Sequence, residues 1–198
     1  MFIPRKQNFS NEPGAYKIVA ALSSDVVDPG EAIVISVYIS GYGNAKSAYF
    51  LYYPSSDFFE KEGSTIKYNP RRLDDGKIAF GGEESPLSEN GAFLRLDSIK
   101  ISEAEPEIFI DDPEVVGRVI TETTQLGDSI VRLTIQVRQN ARPGRHSISL
   151  LLKYYDGERW NVNKEVITFN VRTLFERNQT FIAFAGIVLT LGALFLQI

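Results

Sequence analysis

The segment Ala32 to Ser40 reads AIVISVYIS, and its period of two decides what this chain can fold into. In an extended chain successive side chains point to opposite faces. Ile33, Ile35, Val37 and Ile39 therefore form one apolar stripe. β-branched residues suit a pleated, half-buried surface better than a helix. The same alternation returns in AYKIVAAL (Ala15 to Leu22), SAYFLYY (Ser47 to Tyr53), SIVRLTIQV (Ser129 to Val137), HSISLLLKYY (His146 to Tyr155) and the stretch from Val162 to Val171. Turn-forming residues separate these runs: Asp28-Pro29-Gly30, Gly41 to Asn44, Ala141 to Gly144 and Asp156-Gly157. The centre is less regular. Short strands are expected near Thr65–Tyr68 and Lys77–Phe80. Ala92 to Ile101 alternates, with Phe93, Leu96, Ile99 and Ile101 as candidate core residues, and Glu103 to Glu114 reads as an acidic loop. No stretch before the C-terminus keeps helical periodicity for twelve residues, so the pattern predicts an all-β sandwich.

The C-terminus follows different rules. Residues Thr180 to Gln197, TFIAFAGIVLTLGALFLQ, carry no charge. As a helix, the run to Ile198 would be about 28 Å long, near the ~30 Å thickness of a hydrocarbon core. It has no polar face to present to water, so it is expected to be a single transmembrane helix. Lys164, Arg172 and Arg177 precede it and no cation follows. Cations mark the cytoplasmic side of a span, and no apolar run of signal-peptide length follows Arg5 and Lys6. The expected topology is a single-pass, tail-anchored membrane protein with its folded domain in the cytoplasm. Ala183, Gly186, Thr190 and Ala193 recur at three, four and three residues, a stripe of small side chains that lets helices approach closely in lipid. The expected organisation is a flexible leader over 1–14, the sandwich over 15–173 with an insertion at 54–114, and a juxtamembrane segment and membrane helix over 174–198.

Composition narrows the chemistry. There is no cysteine and one histidine, His146. Disulfides, thiolate metal sites, cysteine nucleophiles and two-histidine zinc sites within one chain are thereby excluded. A net charge of −4 provides no general attraction for nucleic acid. The chain holds no P-loop, no G-x-G-x-x-G and no G-x-S-x-G. His146 follows a turn at the start of a strand, where a surface or edge position is expected. The acidic residues Glu103, Glu105, Glu107, Asp111, Asp112 and Glu114 do not follow the spacing of an EF-hand loop. A solvated loop or a patch for a basic partner suits them better. We expect no enzyme, no cofactor and no metal.

Two segments carry a resemblance. VVDPGEAIVISVYISGYGNA (Val26 to Ala45) and ARPGRHSISLLLKYYDGERW (Ala141 to Trp160) resemble the paired pattern of CARDB and NEW3-type immunoglobulin-like domains. In those domains a Pro-Gly turn precedes one core strand, a second precedes the next-to-last strand, and a Tyr-x-Asp-Gly hairpin follows. The resemblance implies an immunoglobulin-like β-sandwich, and domains of that kind mediate adhesion or carry other modules on prokaryotic cell surfaces. The chain departs from the pattern in its long insertion and in the lack of a secretion signal.

For a partner surface the sequence offers a concentration of aromatics: Tyr49, Phe50, Tyr52, Tyr53, Phe58 and Phe59. Tyr49, Leu51 and Tyr53 share one strand face, and Phe50 and Tyr52 share the other. Either set can face outward or lie beneath the insertion. Tyr49, Tyr53, Phe58 and Phe59, with Arg71 and Arg72 in a nearby loop, form the expected partner surface. Trp160 fits either a membrane interface or the sandwich core. The expected function is a membrane-anchored, non-enzymatic module that binds a protein partner or assembles with copies of itself. The alternative is an oligomeric membrane effector or channel-like subunit whose sandwich senses a partner or ligand.

Overall fold

The structure, a computed structural model, describes residues 13–43, 45, 47–54, 58–68, 70–72, 78–80, 84–96, 98–99, 108–109, 129–179, 183, 185 and 187. The strands in chain order are β1 (Ala15–Leu22), β2 (Val26–Val27), β3 (Ala32–Tyr42), β4 (Ser47–Pro54), β5 (Phe59–Lys67), β6 (Pro70–Arg72), β7 (Ile78–Phe80), β8 (Glu84–Pro86), β9 (Ala92–Arg95), β10 (Ser98–Ile99), β11 (Ile108–Phe109), β12 (Val131–Val137), β13 (Gly144–Tyr155) and β14 (Trp160–Val171). A short helix, α1 (Leu174–Arg177), follows. The first sheet is ordered β1-β3-β12-β5-β8 and the second β2-β14-β13-β4-β9; β6–β7 and β10–β11 form two small ladders. All pairings are antiparallel except β14 with β2. The all-β sandwich follows from the alternation, because each five-stranded sheet has one apolar face that needs another to cover it.

The core lies between the sheets. Ile33, Ile35, Val37 and Ile39 of β3 and Val131, Leu133, Ile135 and Val137 of β12 meet Ile148, Leu150 and Leu152 of β13 and Phe50 and Tyr52 of β4. Burial pushes the Tyr52 phenol above its ordinary range. It does the same at Tyr16, where neighbouring Tyr154 adds to the effect.

One open side of the sandwich is closed by side chains. The Tyr16 amide donates to Tyr154 Oη (3.1 Å) and the Ile18 amide to Asn163 Oδ1 (2.8 Å). These are edge amides of β1, which would otherwise be open to pairing with another chain. The Tyr16 and Tyr154 rings also meet edge to face at 5.1 Å.

Several sequence expectations need correction. Phe58 and Phe59 are fully buried and cannot form a partner surface. Phe59 starts β5 on its inward face, and Phe58 packs edge to face on Phe169, 4.9 Å between ring centres. Phe93, expected in the core, is exposed. The pairs Phe50↔Leu94 and Tyr52↔Ala92 turn the alternate residues of β9 inward, so Phe93 points out. Leu96 is buried as expected. Arg71 and Arg72 lie on β6, paired with Ala79 and Ile78, and not in a loop. The strand expected at Thr65–Tyr68 is the end of the longer β5. The 1–14 leader, apart from residues 13 and 14, and the acidic run, apart from residues 108 and 109, lie outside the described residues.

The expected transmembrane helix also falls largely outside them. Residues 179, 183, 185 and 187 are helical and Ala183 is exposed, while Gly186, Thr190 and Ala193 are not among those described. Among the described residues no helix is long and apolar enough to cross a membrane. The start of α1 is fixed by a reciprocal cap. The Thr173 amide donates to Glu176 Oε2 (2.7 Å), and the Glu176 amide donates to Thr173 Oγ1 (3.1 Å). The bond from the Thr173 amide, then its side chain and Arg172, holds the Glu176 carboxyl below its ordinary range.

Two predictions follow from this frame. In the β13–β14 hairpin, Asp156 accepts bonds from the amides of Arg159 and Glu158 (each 2.8 Å) and from the Asn161 side chain (2.7 Å). These bonds, the Arg159 amide first, hold its carboxyl below the ordinary range. A depressed folded value stabilises the fold above the unfolded value and loses that contribution as pH falls through the folded one. Thermal unfolding should therefore show wild type losing stability below about pH 4 more steeply than Asp156→Asn. Gly91, just before β9, has φ of 100°, and a Cβ there would lie 2.1 Å from the Tyr52 carbonyl oxygen. Gly91→Ala should cost about 1–3 kcal/mol in urea unfolding and speed amide exchange across 92–95 while leaving β13 protected.

Candidate binding face

The feature that distinguishes this sandwich is the outer face of its second sheet. Strand β14 begins WNVNKEV, and its polarity runs opposite to that of a strand covering a core. Asn161, Asn163 and Glu165 point to the inner side, toward the β1 edge, while Trp160, Val162 and Val166 point out. The register aligns the outward residues in rows across the sheet. Val162 lies beside Lys153, Tyr49 and Arg95; Lys164 beside Leu151, Leu51 and Phe93; Val166 beside Ser149 and Tyr53. Exposure is 61% for Phe93, 60% for Val162, 49% for Trp160, 48% for Val166 and 47% for Tyr53. On the first sheet, exposed Val19 pairs with Tyr38 and exposed Tyr42 with Ala15, and the same face carries Lys17, Ser36, Ser40, Arg132, Thr134 and Gln136.

The aromatics form one connected group. Tyr49 stacks on Phe93 at 5.0 Å and on Trp160 at 5.8 Å, with interplanar angles of 28° and 29°. Phe93 comes from the β9 side of β4 and Trp160 from the β14 side, so the Tyr49 ring lies between them. Tyr155 tilts against Trp160 at 5.5 Å. Lys153 Nζ sits 4.6 Å from the Trp160 ring centre and the Arg95 guanidinium 5.7 Å from that of Tyr49, within range for cation–π attraction. The outward charged residues on β4, β9, β13 and β14 are Arg95, Arg145, Lys153 and Lys164, and no carboxylate stands among them.

The residues expected at a partner surface thus divide. Tyr49 and Tyr53 lie on this face, whereas Phe58 and Phe59 are in the core. For Arg71 and Arg72 the backbone alone is described. Trp160 is neither in the core nor alone. Phe93, Val162, Val166, Lys153 and Lys164 were not legible as a site. The signal that could have found them was the polar set Asn161, Asn163 and Glu165 on a strand whose other half faces the core.

His146 Nε2 donates to the Arg142 carbonyl (2.7 Å), and its ring rests on Phe58 and Phe169, which present no nucleophile. Among the described residues no group of three or more His, Asp or Glu is placed to hold a metal. A shallow cleft of about 610 Å³ lies beside α1, lined by Asn170, Arg172, Thr173, Glu176 and Arg177 among others. Arg172 there reaches Asp28 (3.5 Å) and Glu176 caps the helix.

No curated protein matches this chain. Some solved structures resemble it weakly. A cohesin module from a Clostridium perfringens family 33 glycoside hydrolase is 14% identical, covers 79% of this chain and 95% of its own, and has a TM-score of 0.38. AvmM, which catalyses macrocyclization in alchivemycin A biosynthesis, is 13% identical over 79% and 89%, with a TM-score of 0.39. BslA, a bacterial hydrophobin, is 11% identical over 82% and 98%, with a TM-score of 0.36. Likenesses this distant carry nothing about activity. A family model matches residues 10–192, and the chain belongs to that family, the domain of unknown function DUF8164.

Proposed function

We propose that this chain is a non-enzymatic docking module of the immunoglobulin-like class, held at a membrane by residues 180–198, that binds a protein partner through the outer face of its second sheet. The observation that carries the reading is the stacked group of Phe93, half-buried Tyr49 and Trp160, with exposed Val162 and Val166 on the same face of a sheet already covered on its other side. Exposed apolar patches on a folded domain mark interaction surfaces, and Trp and Tyr are enriched among the residues that carry binding energy. Two observations support the immunoglobulin-like class. The order β1-β3-β12-β5 against β14-β13-β4 parallels the ABED and GFC sheets of that fold. Gly30 of the Asp28-Pro29-Gly30 turn has φ of 87°, a left-handed conformation glycine adopts readily, as the CARDB-like pattern needs before β3. The uncharged run at 180–197 supports the anchor. Trp160 and Val171 lie at opposite ends of β14, about 36 Å apart at about 3.3 Å per residue. The aromatic end of the face would thus be directed away from the anchored end.

Two experiments test this reading. Alkaline extraction of membranes should leave the full chain in the pellet and release a chain ending at residue 179; release of both would remove the anchor. A photo-crosslinking benzoylphenylalanine placed at Phe93 or Val162 of the full chain in its native cells should give discrete higher-mass adducts. The same group at Lys17, on the outer face of the first sheet, should give none. Equal adducts from both sheets, or none from either, would remove the docking face.

A further inference from the structure

We infer that the partner docked on this face is an acidic protein segment that brings carboxylates to Lys153 and Lys164 and apolar side chains to Val162, Val166 and Phe93. This inference rests on the docking reading above and assigns the chemistry of its partner. The chain as a whole is acidic, with net charge −4, yet every outward charge on β4, β9, β13 and β14 is a cation. Among the described residues neither Lys153 nor Lys164 has a carboxylate within 4 Å. Complementary charge steers association and selects partners. Lys153 and Lys164 come from adjacent strands, with Lys164 beside Leu151, two residues from Lys153 along β13. One short segment can therefore reach both.

The occupied Tyr49 ring and the cations over the rings favour a protein segment over nucleic acid. Single-stranded nucleic acid binds such sheets by stacking bases on open ring faces. Here the Tyr49 ring is already stacked against Phe93 and Trp160, and Arg95 and Lys153 lie over Tyr49 and Trp160. Stacked rings present their edges, the positive end of the aromatic quadrupole, and these add to the lysines in favouring carboxylates. A second copy of the chain is also a poor occupant. A two-fold pairing of this face would set Lys153 and Lys164 against the same cations.

The crosslinking experiment separates the failure of this inference from failure of the docking reading. In the full chain with benzoylphenylalanine at Phe93, Lys153→Glu with Lys164→Glu should reduce adduct yield at least tenfold, and Lys153→Arg with Lys164→Arg should keep it. Circular dichroism should show the same β-sheet signal in both. The peptide joined to residue 93, read by mass spectrometry, should contain Asp or Glu beside apolar residues and come from another protein. Adducts that survive the glutamate pair overturn the charge assignment while the docking reading stands. Adducts that disappear with nuclease, or that have twice the chain's mass, overturn it in favour of nucleic acid or self-association. Absence of adducts in every background removes the docking reading and this inference together.

Discussion

The burial of alternate side chains between the two five-stranded sheets is the interaction on which everything else depends. β3 and β12 on one side and β13 and β4 on the other contribute inward residues that are almost completely hidden. Each such side chain is worth about 1.5–3 kcal/mol of hydrophobic stabilisation. A one-residue slip in any of these strands would turn its apolar set to water, so the register is fixed wherever a face is buried. That fixed register also decides the outer faces. Once Phe50, Tyr52, Leu150 and Leu152 point inward, Tyr49, Leu51, Tyr53, Leu151 and Lys153 have no choice but to point out.

The second sheet consequently has apolar residues on both faces, which its strands show in different ways. Leu150, Leu151 and Leu152 of β13 are consecutive leucines, two turned to the core and one to the outer face. β14 instead divides along its length. Its second half, with Ile167, Phe169 and Val171, covers the core. Its first half extends beyond the apolar interior and turns Asn163 toward β1, where it closes an edge amide. The same residues thus protect an edge from unwanted pairing and release Trp160, Val162 and Val166 to the outer face. Edge protection and the exposed face are two results of one displaced strand.

Much of this was legible in the sequence. The strands Ala15 to Leu22, Ala32 to Ser40 and His146 to Tyr155 were readable because strict alternation and Gly or Pro turns bound them on both sides. The outward position of Tyr49 and Tyr53 was one of two arrangements that alternation allowed. Phe58 and Phe59 misled because adjacent aromatics cannot share a strand face. They are both buried because Phe58 precedes β5 and fills the sandwich end against Phe169. Phe93 misled for the opposite reason. A four-residue edge strand alternates equally well in either phase, and only its pairing with β4 sets which phase is inward.

The sequence alone determined the periodicity, and with it an all-β sandwich, along with an uncharged C-terminal run and a chemistry without thiols or paired histidines. These are local properties, set by residue type and spacing. Tertiary structure decided which apolar face of each strand is the core and which is left open. It decided that the rings of Tyr49, Phe93 and Trp160, from three different strands, stack into one group, and that among the described residues Lys153 and Lys164 stand beside them with no carboxylate within 4 Å. Those are matters of register between strands far apart in the chain, which no local spacing can specify.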